Sequence, residues 1–391
     1  MSKAKRKGAL EGVRILDFSW VWAGPQATKM LGAMGAEVIK IETATRPEFT
    51  NRVGWFRVLN NNKKSCSIDI RHPRGQDLIR ALAVKSDVVV ENFSSGVLSK
   101  YGLGYEDLRR LCPDIVFLSA SGVGRTGPQQ SALAYGTLLQ AYSGRAGMIG
   151  AVNPRMEAMG IQPAWTDPIT ALWEGVAILA ALIHRRQSGA GAFIDLSMLE
   201  STVALLPEAL LRQGLGLSEA GGNSEKGAAP CGSFRCAGED AWLALSVRSQ
   251  EEWLGLARAM RRPDLEADPR YADPSLRLAQ KEALDGEVAA WLRGEDAAEA
   301  EALLQAQRVP AARARHIGEL IEDPHVIARG LYAHLADGSC TTTLPWIDDT
   351  GGRGVSTPTP RLGADNEMVL GSLLGLSRER IEELVAAGAV R

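Results

Sequence analysis

Between Val13 and Ser197 short apolar runs alternate with segments of helical period, and this alternation restricts the fold more than any other feature of the chain. Val13-Arg-Ile-Leu-Asp-Phe18 reads as a buried strand. Gly24-Pro25 breaks it, with Pro25 suited to the first turn of a helix. Ala27, Met30, Leu31 and Met34 then recur at helical spacing, Gly35 stops the helix, and Ala36 to Ile41 gives the next strand. Strand, helix, strand in so few residues requires parallel pairing with a right-handed crossover. The pattern continues with strands at Ser65 to Ile70, Asp87 to Glu91, Asp114 to Ser119 and Phe193 to Met198. Helices are expected at Pro73 to Lys85 and Tyr105 to Leu111. The fold class expected is α/β: a doubly wound, Rossmann-like large domain over residues 8–205 with helices on both sheet faces.

The composition changes near Gly214. A Gly-rich linker is expected over 206–230 and a smaller α+β domain over 231–325, with a strand at Trp242 to Val247. Its helices are expected at Glu251 to Met260, Ser275 to Trp291 and Arg293 to Gln307. The segment 326–391 is loop-rich until a last helix, Ser377 to Ala387.

The formal net charge of -2 provides no basic field for nucleic acid, and the basic stretch Met1 to Lys7 reads as a solvated tail. Five scattered cysteines make no disulfide framework, which points to a reducing, cytoplasmic setting; five scattered histidines make no metal motif. No apolar stretch of membrane-spanning length is expected, so neither a membrane nor a nucleic acid is expected as partner.

The segment carrying chemistry is Trp165-Thr-Asp167-Pro168 with the helix expected after it. Ile169, Leu172, Val176, Leu179 and Ile183 trace an apolar helical stripe, His184 to Arg186 suit a helix C-terminus, and Gly189 ends it. Asp167 is thereby expected at the N-cap. Position alone favours plain capping. The functional reading is a carboxylate held ionised by the helix terminus and able to attack an acyl carbon.

Several separated segments resemble the class III CoA-transferases, the CaiB/BaiF family that includes formyl-CoA transferase. In order they are Leu10 to Phe18, Val21-Trp-Ala-Gly-Pro25, Met34 to Glu42, Asn60-Asn-Asn-Lys63, Asp87 to Phe93, Tyr101 to Leu108, Ser121 to Pro128 and Gly191 to Ser197. The resemblance is looser at Gly232 to Gly238 and Asp323-Pro-His325. It implies Asp167 as the nucleophile, forming a mixed anhydride and then an aspartyl-CoA thioester. It places coenzyme A, a substrate, at Val21, Trp22, Ala23, Asn61, Lys63, Asn92, Phe93 and Lys100, with Tyr135 at the substrate. Lys63 and Lys100 are expected to meet phosphates. No permanently bound cofactor or metal is implied; the partners are an acyl-CoA and a carboxylic acid. The tail is expected to return to the large domain, and the chain to form an interlocked homodimer.

Two departures make the expected pocket less polar than that of formyl-CoA transferase: Leu133 stands where that enzyme has lysine, and Trp22 where it has glutamine. They suggest an acid bulkier than oxalate or formate. A glycine loop, Gly221-Gly222 to Gly232, is a loose counterpart of the family's active-site lid. The nearest rival is a racemase or isomerase of the same family, which resembles this chain but carries a histidine base at the position of Tyr135; a tyrosine is a poor base near neutral pH. A nicotinamide dehydrogenase is disfavoured because the turn after the first strand, Ser19 to Pro25, lacks G-x-G-x-x-G. A non-catalytic CoA-binding protein is the remaining alternative.

Overall fold

The computed structural model describes residues 8–45, 48, 52–132, 135–150, 164–217, 227–347, 353–354 and 356–391. The described residues within 1–147, 157–216 and 324–391 form one compact unit, and those within 148–156 and 217–323 a second.

The first unit is built on six parallel strands: β1 (Arg14–Asp17), β2 (Glu37–Glu42), β3 (Lys63–Ser67), β4 (Val88–Glu91), β5 (Val116–Ser121) and β6 (Ala192–Ser197). Their spatial order is β3-β2-β1-β4-β5-β6. This is the doubly wound order, which reverses direction between β1 and β4 and opens a crevice at their carboxyl ends. The α-helices described before β6 are α1 (Ala23–Ala33), α2 (Trp55–Leu59), α3 (Pro73–Val84), α4 (Tyr105–Leu108), α5 (Gly136–Tyr142), α6 (Arg145–Gly150) and α7 (Thr166–Ser188).

Two cores flank the sheet because successive strand residues point to opposite faces. Ile15, Val38, Val88, Val90, Val116 and Leu118 face Leu31 of α1 and Ile178 of α7. Leu16, Ile39, Val89 and Phe117 face Leu78, Ile79 and Leu82 of α3. Val369, Leu370, Leu384 and Val390, from the far end of the chain, complete that second core. The Ser65 backbone N–H donates to Asp365, and Ile68 bridges Val390, so the last segment is stitched to β3.

The second unit contains an antiparallel sheet, β7 (Cys231–Arg235), β8 (Trp242–Ser246) and β9 (Ala311–Arg313), in that order. Phe234, Leu243 and Leu245 pack there with Trp253, Leu256, Leu284, Val288 and Leu304 from its helices.

The structure corrects three expectations. Helix α7 begins at Thr166 with Trp165 before it, so Asp167 lies inside the first turn rather than at the cap. Its apolar stripe faces outward: Leu172, Val176 and Ile183 are each more than half exposed, and the buried face is Thr166, Asp167, Thr170, Ala171, Glu174, Ile178 and Ala181. At 23 residues, with an 18-residue window of mean hydropathy 1.4, α7 is also long and apolar enough by length and composition to cross a membrane, contrary to the expectation that no segment would be. Here it packs against α1, β5 and β6.

Candidate active site

The crevice between β1 and β4 is organised by two polar side chains, one buried and one half-buried. Asp17, the last residue of β1, accepts from the Ser19 backbone N–H at 2.8 Å, the Thr28 hydroxyl at 2.8 Å and Lys63 Nζ at 2.7 Å. Burial pushes its carboxyl up, but Lys63 and Lys40 outweigh that and bring it down to about 2. Lys63 is itself lowered to about 8, by burial first, with Asp17 opposing. Lys40, also buried, donates to the Ser19 carbonyl at 2.6 Å. Across the crevice, Asn92 follows β4. Its Oδ1 accepts from the Trp20 N–H at 2.7 Å and its Nδ2 donates to the Trp20 carbonyl at 2.8 Å. Phe93 meets the Trp20 ring edge-on, with centroids 5.4 Å apart. The loop between β1 and α1 is thus held at both backbone and side chain. Within it, Val21 has φ of +70°, a region a β-branched residue enters only when its surroundings enforce it; its N–H donates to Glu48.

Asp167 lies on the buried face of α7, 9% exposed. Gly136, first residue of α5, abuts it: a Cβ built on Gly136 would fall 1.7 Å from Asp167 Oδ2. The Thr166 hydroxyl donates to the Gly136 carbonyl at 2.6 Å, tying the starts of the two helices together. Burial raises the Asp167 carboxyl to about 6, against the pull of its own backbone N–H and the Thr166 hydroxyl. The helix terminus alone would lower it; desolvation wins because the side chain is almost out of water. Such a carboxylate is still mostly ionised at neutral pH and is more basic than a surface aspartate, which suits a nucleophile. Two turns further along α7, Glu174 is fully buried and, among the described residues, neither carboxyl oxygen has a hydrogen-bond partner. Among the described residues no group of His, Cys, Asp or Glu has the arrangement of a metal site.

A match to CoA-transferase family III covers residues 10–366. The chain belongs to this family. Succinyl-CoA--D-citramalate CoA-transferase of Chloroflexus aurantiacus is 31% identical over 99% of both chains. Succinyl-CoA:glutarate CoA-transferase of Mus musculus is 31% identical over 97% of this chain and 90% of its own. Among solved structures, a CaiB/BaiF family protein from Brucella suis superposes with a TM-score of 0.86 at 26% identity, covering 94% of this chain and 100% of its own. The protein is therefore a CoA-transferase, an enzyme acting on CoA thioesters and carboxylic acids.

The residues of this CoA-transferase singled out from sequence fall into two groups. Val21, Trp22, Ala23, Asn92 and Phe93 come together at the β1–β4 crevice. Trp22 is half-buried, donates to Gln26 and packs edge-on against Trp55, while Ala23 opens α1 and is buried. Asn61 is buried, and its Oδ1 has no hydrogen-bond partner among the described residues. Lys63 departs from its expected part: its ammonium is fully enclosed and paired with Asp17, so it presents no charge to a phosphate. Lys100 is exposed in a short turn, its ammonium 5.9 Å from the Tyr101 ring centroid. Tyr135 precedes Gly136 and is 69% exposed. Leu133 and Gly221-Gly222 lie outside the described residues.

Sequence reading missed Asp17, Gly136 and Glu174. It also missed Arg125, which pairs with Glu91 at 2.9 Å, donates to Ser119 and lines a cavity of about 320 Å³ with Ser94, Ser95 and Tyr105. A polar residue ending an otherwise apolar strand was the available signal for Asp17 and Glu91. Glu174 interrupts an apolar run and was legible in the same way.

Proposed function

We propose that this CoA-transferase works through covalent catalysis by Asp167. A carboxylate oxygen of Asp167 attacks the donor thioester carbon, and CoA leaves as thiolate, giving a mixed anhydride. The thiolate attacks the aspartyl carbonyl, expelling the donor acid as its carboxylate and leaving an aspartyl-CoA thioester. The acceptor carboxylate attacks that thioester, CoA thiolate leaves again, and its attack on the acceptor acyl carbon restores Asp167. Protons and charge balance over the cycle without a permanent cofactor. The observation that supports this reading most is the buried, basic carboxylate of Asp167 against Gly136.

The relatives' names join succinyl-CoA with citramalate and glutarate. We therefore assign succinyl-CoA as donor and a dicarboxylic acid bulkier than oxalate as acceptor, which accords with Trp22 in place of a polar residue. CoA is placed along the β1–β4 crevice, over Val21 to Ala23 and Asn92-Phe93, where doubly wound sheets bind ligands. Homodimerisation is supported by the outward stripe of α7, where Trp165, Leu172, Trp173, Val176 and Ile183 leave an apolar face uncovered. A cytoplasmic location accords with five free cysteines.

The experiment is a panel of acyl-CoA donors against free acids, with hydroxylamine trapping and mass spectrometry. The trapped adduct should map to Asp167, and Asp167→Asn should abolish transfer while CoA still binds. Transfer at the parental rate by Asp167→Asn would overturn the mechanism. Racemisation is disfavoured by the phenol at Tyr135, so the substrate α-hydrogen should not exchange with solvent in the absence of an acceptor.

A further inference from the structure

Glu174 is a buried titratable group with no part in the mechanism above. It shares the buried face of α7 with Asp167, seven residues away, or about 10 Å along the helix axis. Its side chain is out of water, and both oxygens lack a hydrogen-bond partner among the described residues. A carboxylate cannot remain ionised in such a place without a partner, whereas the neutral acid can.

The charged groups around it make ionisation harder still. From β1 comes Asp17 and from its own helix Asp167, both negative; from β3 comes Lys63, whose ammonium is already bonded to Asp17. The other elements packed on α7 bring little. Lys29 of α1 turns away to the Thr341 hydroxyl at 2.8 Å. Tyr142 of α5 and Glu200, in the helix Met198–Val203, are exposed, and Asp195 of β6 accepts from the Arg125 backbone N–H. Burial first, then Asp17 and Asp167, push Glu174 up to about 8, with Lys63 opposing.

We propose that Glu174 is a positioning residue whose uncharged carboxyl keeps a second negative charge from forming behind Asp167, and that its ionisation sets the alkaline limit of turnover. The inference rests on Asp167 being the nucleophile. A negative Glu174 would act through a low-dielectric interior on a centre that must accept an anionic acid and carry an oxyanion during each acyl transfer. It would oppose both steps. It would also strain the Asp17–Lys63 pair that supports the β1–α1 loop.

The test is the pH dependence of single-turnover aspartyl acylation in the parent, Glu174→Gln and Glu174→Leu, together with infrared difference spectra. The parent should lose rate about tenfold per pH unit above pH 8. Glu174→Gln, uncharged at all pH, should stay within about threefold of the parent at pH 7 and lose that alkaline limb. An unchanged limb in Glu174→Gln would overturn the proposal, as would a uniform loss at every pH, which is what a merely structural role produces. Lys63 titrates in the same range but is intact in both variants, so disappearance of the limb assigns it to Glu174. The spectra keep the test decisive if the variants fold poorly. In Asp167→Asn, a protonated-carboxyl band should be present at neutral pH and vanish on going to pH 9.5; its absence at neutral pH overturns the proposal. That measurement needs no turnover. A failure of Asp167 as nucleophile would show separately, as transfer by Asp167→Asn.

Discussion

Gly136 and Asp167 are in direct contact, with no room at the glycine for even a methyl group beside the carboxylate oxygen. The start of α5 is thereby fixed against the first turn of α7, and the Thr166 hydroxyl closes the junction. Gly136→Ala must displace either the Asp167 side chain or the α5 backbone. Because a misplacement of about 1 Å costs on the order of 100-fold in rate, the variant should lose at least that much in kcat. CoA binding should change little. Steady-state kinetics paired with calorimetric CoA titration checks both.

Asp167→Asn should eliminate transfer and yet stabilise the protein. The folded carboxyl is raised to about 6 from 3.8. A raised acid contributes stability fully below its unfolded value and loses it as pH rises through the folded value, so at pH 7 the ionised side chain is a net cost. Replacing it by an amide should stabilise by roughly 1–2 kcal/mol at pH 7 and by little at pH 4. Denaturant unfolding at the two pH values measures this. The same titration predicts that acyl transfer by the parent falls about tenfold per unit below pH 6.

Lys63→Met should act on folding more than on substrate affinity. Removing one partner of a buried ion pair leaves an uncompensated charge and costs about 3–5 kcal/mol. The double variant Asp17→Leu/Lys63→Met should recover much of that loss, and urea unfolding of the three proteins completes the cycle. Asp17, lowered to about 2 from 3.8, contributes stability that is present above pH 4 and disappears as pH falls toward 2.

Asn92→Ala should remove both hydrogen bonds that clamp Trp20. A loss of about 1 kcal/mol in stability is expected, because the released Trp20 groups are only half-buried and water can reach them. The loop carrying Val21 to Ala23 would be released with it, so KM for the acyl-CoA should rise more than kcat falls. Retention of the parental KM would separate this clamp from CoA binding.

The strands were legible because a parallel sheet covered on both faces needs apolar residues at consecutive positions, as in Val88-Val-Val90. Strand ends were less so. β3 runs over Lys63–Ser67, earlier than expected, because Lys63 pairs with Val38 in register and its ammonium is satisfied by Asp17. Two lysines and two serines along that strand look solvent-facing until those partners are in place. The helix expected over Ser275 to Trp291 is two, Pro274–Ala279 and Lys281–Leu292, separated at Gln280.

The sequence by itself determined the alternating α/β order and the family, and singled out Asp167, since strand periodicity and ordered local motifs are properties of neighbours along the chain. Only the tertiary structure decided which face of α7 is buried, that Lys63 neutralises Asp17, that Gly136 touches Asp167, and that Glu174 is enclosed. Each of these depends on residues distant in sequence removing water from a charge. Whether an ionisable side chain is a surface group, a structural ion or a neutral acid is set by that desolvation, and desolvation exists only once the elements have packed.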